Sequence, residues 1–148
     1  MTVNRLSRIS IMKHIAFVCD LDLQGFCERL QKVLNLPGFE FNHENKTEWA
    51  YVEVDNLEYN VSRPYNPGIL HVWDNTVPPG CNFGISLILY REHPNAHNHE
   101  WAFDNLVLPI GQRIADEFQI TVHYHRTWLG VGQNVERNLV FHPNVAHR

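Results

Sequence analysis

The chain has 148 residues, 44% apolar and 19% charged, which suits one packed domain and excludes an intrinsically disordered class. Its formal net charge of −4 is small and of the wrong sign for direct nucleic-acid binding. No apolar run approaches the ~18 residues of a membrane helix, so no membrane association is expected.

The opening stretch, MTVNRLSRISIMKHIAFVC, carries two early arginines but no apolar segment followed by a small-residue cleavage site, so it does not read as a secretory leader. Residues 1–12 are expected to form a flexible arm, with Met12 an alternative start, and residues 13–148 a single domain. Three cysteines, Cys19, Cys27 and Cys81, are an odd number at spacings that suggest no disulfide framework. They point to buried, inert thiols in a reducing, cytoplasmic setting.

HIAFVCD reads as a buried strand. Asp22 is placed to cap a helix with apolar positions Leu23, Phe26, Cys27, Leu30, Val33 and Leu34, ended by Asn35 and Pro37-Gly38. Glu48–Val54 and Leu57–Ser62 alternate as strands, with Asp55-Asn56 as a two-residue hairpin turn. That register sets Val54 against Leu57, Val52 against Tyr59, Ala50 against Val61, and Glu48 against Arg63 as a cross-strand ion pair. Trp49, Tyr51 and Glu53 then share the other side with Ser62, Asn60 and Glu58, and Glu53 opposes Glu58, a mildly destabilising pairing of like charges.

NPGILHVWDNTVPPG suggests a short strand between turn signals, and NFGISLILY, apolar on both faces, a central strand. Asn98 caps a second helical pattern through Phe103, Leu106, Val107, Ile110, Ile114 and Phe118. Pro109 and Gly111 within it predict a kink or two consecutive helices. QITVHYHRTW and RNLVFHP read as strands, with GVGQN as a turn before the last one. Strands joined by short turns favour an antiparallel arrangement. The expected fold is α+β, a single mainly antiparallel sheet with two helices packed on one face.

Ten histidines invite a metal. His97 and His99 form one H-x-H, and His123 and His125 another. A metal-dependent hydrolase built on these four, with Glu100 and Asp104 as further ligands, is the enzymatic alternative. The same strand residues also suit the plain polar face of a half-exposed strand, and that reading is adopted, with no metal and no cofactor. The HRT at 125–127 lacks the second H-x-[ST] that a two-histidine phosphoesterase requires. No local signature makes a cysteine the nucleophile, although Cys81 lies in a loop, and phosphate-binding and nucleotide-binding glycine motifs are absent.

The charge is unevenly placed. Residues 33–62 hold Glu40, Glu44, Glu48, Glu53, Asp55 and Glu58 against Lys46 alone, a balance of −5. Carboxylates on a rigid hairpin beside Trp49 and Tyr51 offer a basic protein partner both steering charge and aromatic anchors. Burial of the two aromatics beneath a helix accounts equally for the pattern, and the residues alone leave both readings open.

The stretch FEFNHENKTEWAYVEVDNLEYNVSRPY, with its EN…EW and closing NVSR, resembles small immunity proteins of bacterial polymorphic-toxin and contact-dependent growth inhibition systems. The resemblance covers about residues 38–65, together with the chain length and element order. It implies a cytoplasmic protein with no reaction of its own. Such a protein binds one cognate toxin domain, often a nuclease with a basic cleft, and blocks it. The partner-binding residues expected on this reading are Trp49, Tyr51, Glu53 and Glu58, with Glu44 and Asp55 at the rim.

Overall fold

The computed structural model describes residues 5–66, 68–73, 77–124, 127–130, 133–135 and 139–144. A short helix α1 (Arg5–Arg8) leads directly into β1 (Ile9–Phe17), and α2 (Leu23–Leu34) follows. Next come β2 (Glu40–Glu44), β3 (Thr47–Val54), β4 (Leu57–Pro64), α3 (Gly68–Trp73) and β5 (Phe83–Tyr90). Then α4 (His99–Ala102), a π-helical turn (Phe103–Val107) and α5 (Leu108–Phe118) run end to end. The chain closes with β6 (Val122–Tyr124), β7 (Thr127–Gly130), β8 (Gln133–Val135) and β9 (Leu139–Phe141).

Seven strands form one sheet in the order β2-β3-β4-β5-β1-β6-β9, every pairing antiparallel, and β7 and β8 form a separate two-stranded ribbon. The doubly apolar β5 is the middle strand. Alternation along each strand then sorts the sheet into two faces. One face carries Ile11, Ile15 and Phe17 of β1, Ala50 and Val52 of β3, Val61 of β4, Phe83, Ile85, Leu87 and Leu89 of β5, and Val122 of β6, all buried. Helices α2 and α5 both pack on this face and on each other. Phe26 of α2 stands at its centre, 5.2 Å from Phe17, 4.9 Å from Phe83 and 4.6 Å from Phe118 of α5 between ring centroids.

The helices begin where their caps dictate. Asp22 accepts from the Gly25 N–H at 2.7 Å, and Asn35 ends α2 in the left-handed region at φ 54°. Asn98 accepts from the Trp101 N–H at 2.9 Å to start α4. The break expected at Pro109 takes the form of the π-helical turn, after which Pro109 sits in the first turn of α5, where its missing N–H costs nothing.

Several expectations are corrected. Ile9–Met12 are not part of an arm. They pair with β5 across Ile9–Tyr90, Ile11–Leu89 and Met12–Ile88, and Ile11 is in the core. Within NPGILHVW, Gly68–Trp73 are helical instead of extended: Asn66 accepts from the Gly68 N–H at 3.0 Å ahead of α3, whose Leu70 packs with Ala16, Val77 and Cys81 on the sheet face away from α2 and α5. Of GVGQN, Gly130 and Gln133 are paired strand residues and Val131-Gly132 between them lie outside the described residues; β2 is a strand the pattern did not announce. QITVHYHRTW contains two short strands, β6 and β7, and His125 and Arg126 between them lie outside the described residues. All three cysteines are free and buried, and burial followed by the charge of Glu48 pushes the Cys27 thiol up to about 12. Burial also raises the Cys81 thiol, which removes it as a ready nucleophile. No helix among the described residues is long and apolar enough to cross a membrane.

Candidate functional site

The hairpin forms in the register the alternation predicts. Val54–Leu57, Val52–Tyr59, Ala50–Val61 and Glu48–Arg63 face one another, as do Glu53–Glu58, Tyr51–Asn60 and Trp49–Ser62. Asp55 and Asn56 both take positive φ, 52° and 66°, the geometry of a type I′ turn, which matches the right-handed twist of the flanking strands. Val52, Ala50 and Val61 point at the helices. Trp49, Tyr51 and Glu53 therefore point the other way, so α2 and α5 do not cover the two aromatics.

On this second face β2 extends the surface beyond β3. Glu40 lies opposite Tyr51, Asn42 opposite Trp49 and Glu44 opposite Thr47. Alternation puts Glu40, Asn42 and Glu44 on the same side as the aromatics, and every residue of β2 is exposed. Trp49 and Tyr51 are half-buried. The composite is a strip of aromatic groups bordered by carboxylates at an open sheet edge.

At the other end of the strip, Trp49, Tyr51, Glu53 and Glu58 line one recess of about 520 Å³ together with Arg8, Asn60 and Tyr90. Glu58 is only 3% exposed. The Tyr90 hydroxyl donates to its Oε1 at 2.6 Å and the Asn60 amide to its Oε2 at 3.3 Å. Glu58 thus supplies charge from the floor of the recess and little contact area. Glu53 is partly exposed and meets Arg8 Nη2 at 3.4 Å, while Arg8 Nε meets Glu92 at 3.0 Å. The Arg8 guanidinium also lies 4.3 Å over the Tyr90 ring. Its hydrogen bond to Glu92, then the Glu53 charge, raise the Arg8 pKa further above its ordinary value.

The two glutamates facing each other are thus reconciled by a cation and a phenol that come from far along the chain. Arg8 lies 45 residues from Glu53 and 84 from Glu92 in sequence, so no local pattern announces it. Glu40 and Asn42 lie on β2, an edge strand exposed along its whole length that no alternation announces. Of the remaining expected contacts, Asp55 is exposed at the hairpin turn beyond the recess. Glu44 is exposed at the far end of β2, in a hollow with Lys46, Thr47 and Tyr65.

Glu48 and Arg63 do not form the expected ion pair, although they are in register. Arg63 instead turns its guanidinium toward the Phe83 ring, 5.6 Å from its centroid, and its buried Nε has no hydrogen-bond partner. Packing of the flat guanidinium on the aromatic core displaces the ion pair. Both residues line a second hollow of about 410 Å³ near the start of α2, with Asp22, His43 and Phe41 among its walls.

Among the described residues the histidines do not gather into a metal site. His97 Nδ1 lies 3.2 Å from the Ser10 hydroxyl, and His99 Nδ1 lies 3.1 Å from the buried Lys13 ammonium. His123 pairs with Ala16 and points to the face opposite the helices. His125 lies outside the described residues. Among the described residues no three histidine, cysteine or acidic groups are placed to share a metal ion. Burial and the Lys13 charge hold the His99 pKa below its ordinary value, and burial and His142 do the same for His123.

Comparison with protein families, with curated proteins and with solved structures found no match to this chain.

Proposed function

We propose that this chain is an immunity protein. It binds and neutralises one bacterial toxin domain by contact through the β2–β3 side of the sheet face turned away from α2 and α5. The observation that carries this reading is the grouping of Trp49, Tyr51, Glu53 and Glu58 around one recess on that face, with Glu40 and Glu44 along its edge. Aromatic side chains supply large rigid contact area at low entropic cost. The surrounding carboxylates favour a basic counterpart, such as the substrate cleft of a nuclease, and accelerate its encounter. A surface of this kind needs no metal or cofactor. The protein acts in the cytoplasm of the cell that makes the toxin, where its reduced thiols are at home.

The resemblance of residues 38–65 to immunity proteins supports the same reading. Its test is a binding titration against the toxin domain encoded beside it, at low and at high salt. A Glu40→Lys/Glu44→Lys/Glu53→Lys variant replaces three exposed carboxylates and spares the buried Glu58, so it should remain folded by circular dichroism. Its affinity is expected to fall by on the order of tenfold or more at low salt, with the loss shrinking as salt screens the surface. Unchanged affinity at both salts in the folded variant would place the interface elsewhere.

A further inference from the structure

The recess on the acidic face already solves one recognition problem within the chain. Arg8 reaches it from α1 and is held by three means: a hydrogen bond from Nε to Glu92 at 3.0 Å, a longer contact from Nη2 to Glu53 at 3.4 Å, and the face of Tyr90 at 4.3 Å. Carboxylate plus aromatic ring is the combination that selects a guanidinium. The same combination recurs, turned outward, in the remaining wall, where Trp49 and Tyr51 stand beside Glu53. These two aromatics are two residues apart on β3 and so share its outer face.

From this we infer that the recess is a receptor for an arginine side chain of the partner, seated against Trp49 and Tyr51 with its guanidinium on Glu53. The inference rests on the docking reading above and specifies its chemistry. Glu53 is the group able to change hands. Its contact with Arg8 is the longer of the two, and Arg8 keeps its shorter hydrogen bond to Glu92 when Glu53 turns to a second guanidinium. Glu58 adds negative charge from the floor, where Tyr90 and Asn60 fix its orientation. Anions are disfavoured by the two carboxylates. A lysine ammonium is a compact, strongly hydrated charge that gains less from flat aromatic walls than a guanidinium does. Arg8 is then an internal competitor, and the partner's arginine displaces one of its contacts instead of filling an empty seat.

The test is an NMR titration of the isotope-labelled full chain with N-acetyl-arginine methylamide. The citrulline analogue, which keeps the shape and loses the charge, and the lysine analogue serve as comparisons. The expected result is a saturable, millimolar response at the Trp49 indole and at the Tyr51, Glu53 and Asn60 amides, with no response to citrulline and a weaker one to lysine. Glu53→Gln should abolish it. Arg8→Gln, checked for a dispersed spectrum, should tighten it by about threefold by removing the competing contact. No response at these residues, an equal response to citrulline, or an equal response to lysine would each overturn the inference. The two proposals fail separately. A toxin complex mapped to this face without any arginine response overturns the arginine receptor and leaves the docking face standing. An arginine response with no toxin complex supports the receptor and overturns the toxin as its partner.

Discussion

Glu58 and Tyr90 show how a single hydrogen bond makes an acidic face compatible with a folded sheet. A carboxylate that is 3% exposed opposite another glutamate would be strongly unfavourable without donors. The Tyr90 hydroxyl at 2.6 Å is the closest donor among its hydrogen bonds to Tyr90 and Asn60. Tyr90→Phe removes that hydroxyl and keeps the ring under Arg8. It is expected to cost about 1.5–3 kcal/mol, the span for hydrogen bonds to charged groups, read from urea unfolding. A change within error would mean that water or another donor replaces the hydroxyl. Glu58→Lys puts an ammonium where the Tyr90 hydroxyl and the Asn60 amide donate to a carboxylate, so the donors it orphans in a buried site oppose the relief of the Glu53–Glu58 repulsion. The histidines give a second prediction at this scale. His99 and His123 both have folded pKa values below the ordinary 6.5, so between those values and 6.5 the unfolded chain binds more protons than the folded one. Their contribution to stability is complete above 6.5, declines as pH falls through 6.5, and levels off below the folded values. The urea midpoint should therefore drop between about pH 7.5 and pH 5.5, and a His99→Gln/His123→Gln variant should flatten that slope.

Among the elements, α5 and β9 are joined by a contact that leaves no room for a side chain. A Cβ at Gly111 would meet three atoms of the Phe141 ring at 2.7, 2.8 and 3.0 Å. In an open helix Gly111→Ala would add about 0.5–1 kcal/mol of stability. Here overpacking of about 1–3 kcal/mol opposes it, so the melting temperature should fall. A rise would show that Phe141 moves aside without loss. Asp116 reinforces the same junction: Asn144 donates to it from its backbone N–H at 2.8 Å and from its side chain at 3.2 Å. These elements were unequally legible in the sequence. The hairpin register follows from strict alternation and a two-residue turn. The two long helices follow from their caps and apolar spacing. β2 escaped because an edge strand exposed along its whole length has no buried face to impose alternation. ILHVW suggested a strand by its branched and aromatic residues, yet the Asn66 cap and the place for Leu70 beside Gly84 make it a helix.

For the molecule as a whole, the sheet divides the labour. One face, covered by α2 and α5, holds the aromatic core around Phe17, Phe26, Phe83 and Phe118. The other carries Glu40, Glu44, Glu53 and Glu58, four of the six acidic residues in 33–62. The sequence announced Trp49, Tyr51, Glu53 and Glu58 as one group because they lie on a single hairpin. Arg8, Tyr90 and Glu92 come from other parts of the chain, and only tertiary structure brings them to the recess. Glu48 and Arg63 show the converse, a pairing that register predicts and packing on Phe83 overrides. Docking of a toxin domain on the acidic aromatic face, as proposed, is read out by hydrogen exchange of the chain with and without that domain. Slowed exchange is expected at the backbone of β2, β3 and the Asp55-Asn56 turn, with α2 and α5 unchanged. Protection confined to α2, α5 or the loop at His93–Asn98, with β2 exchanging as in the free chain, would contradict it.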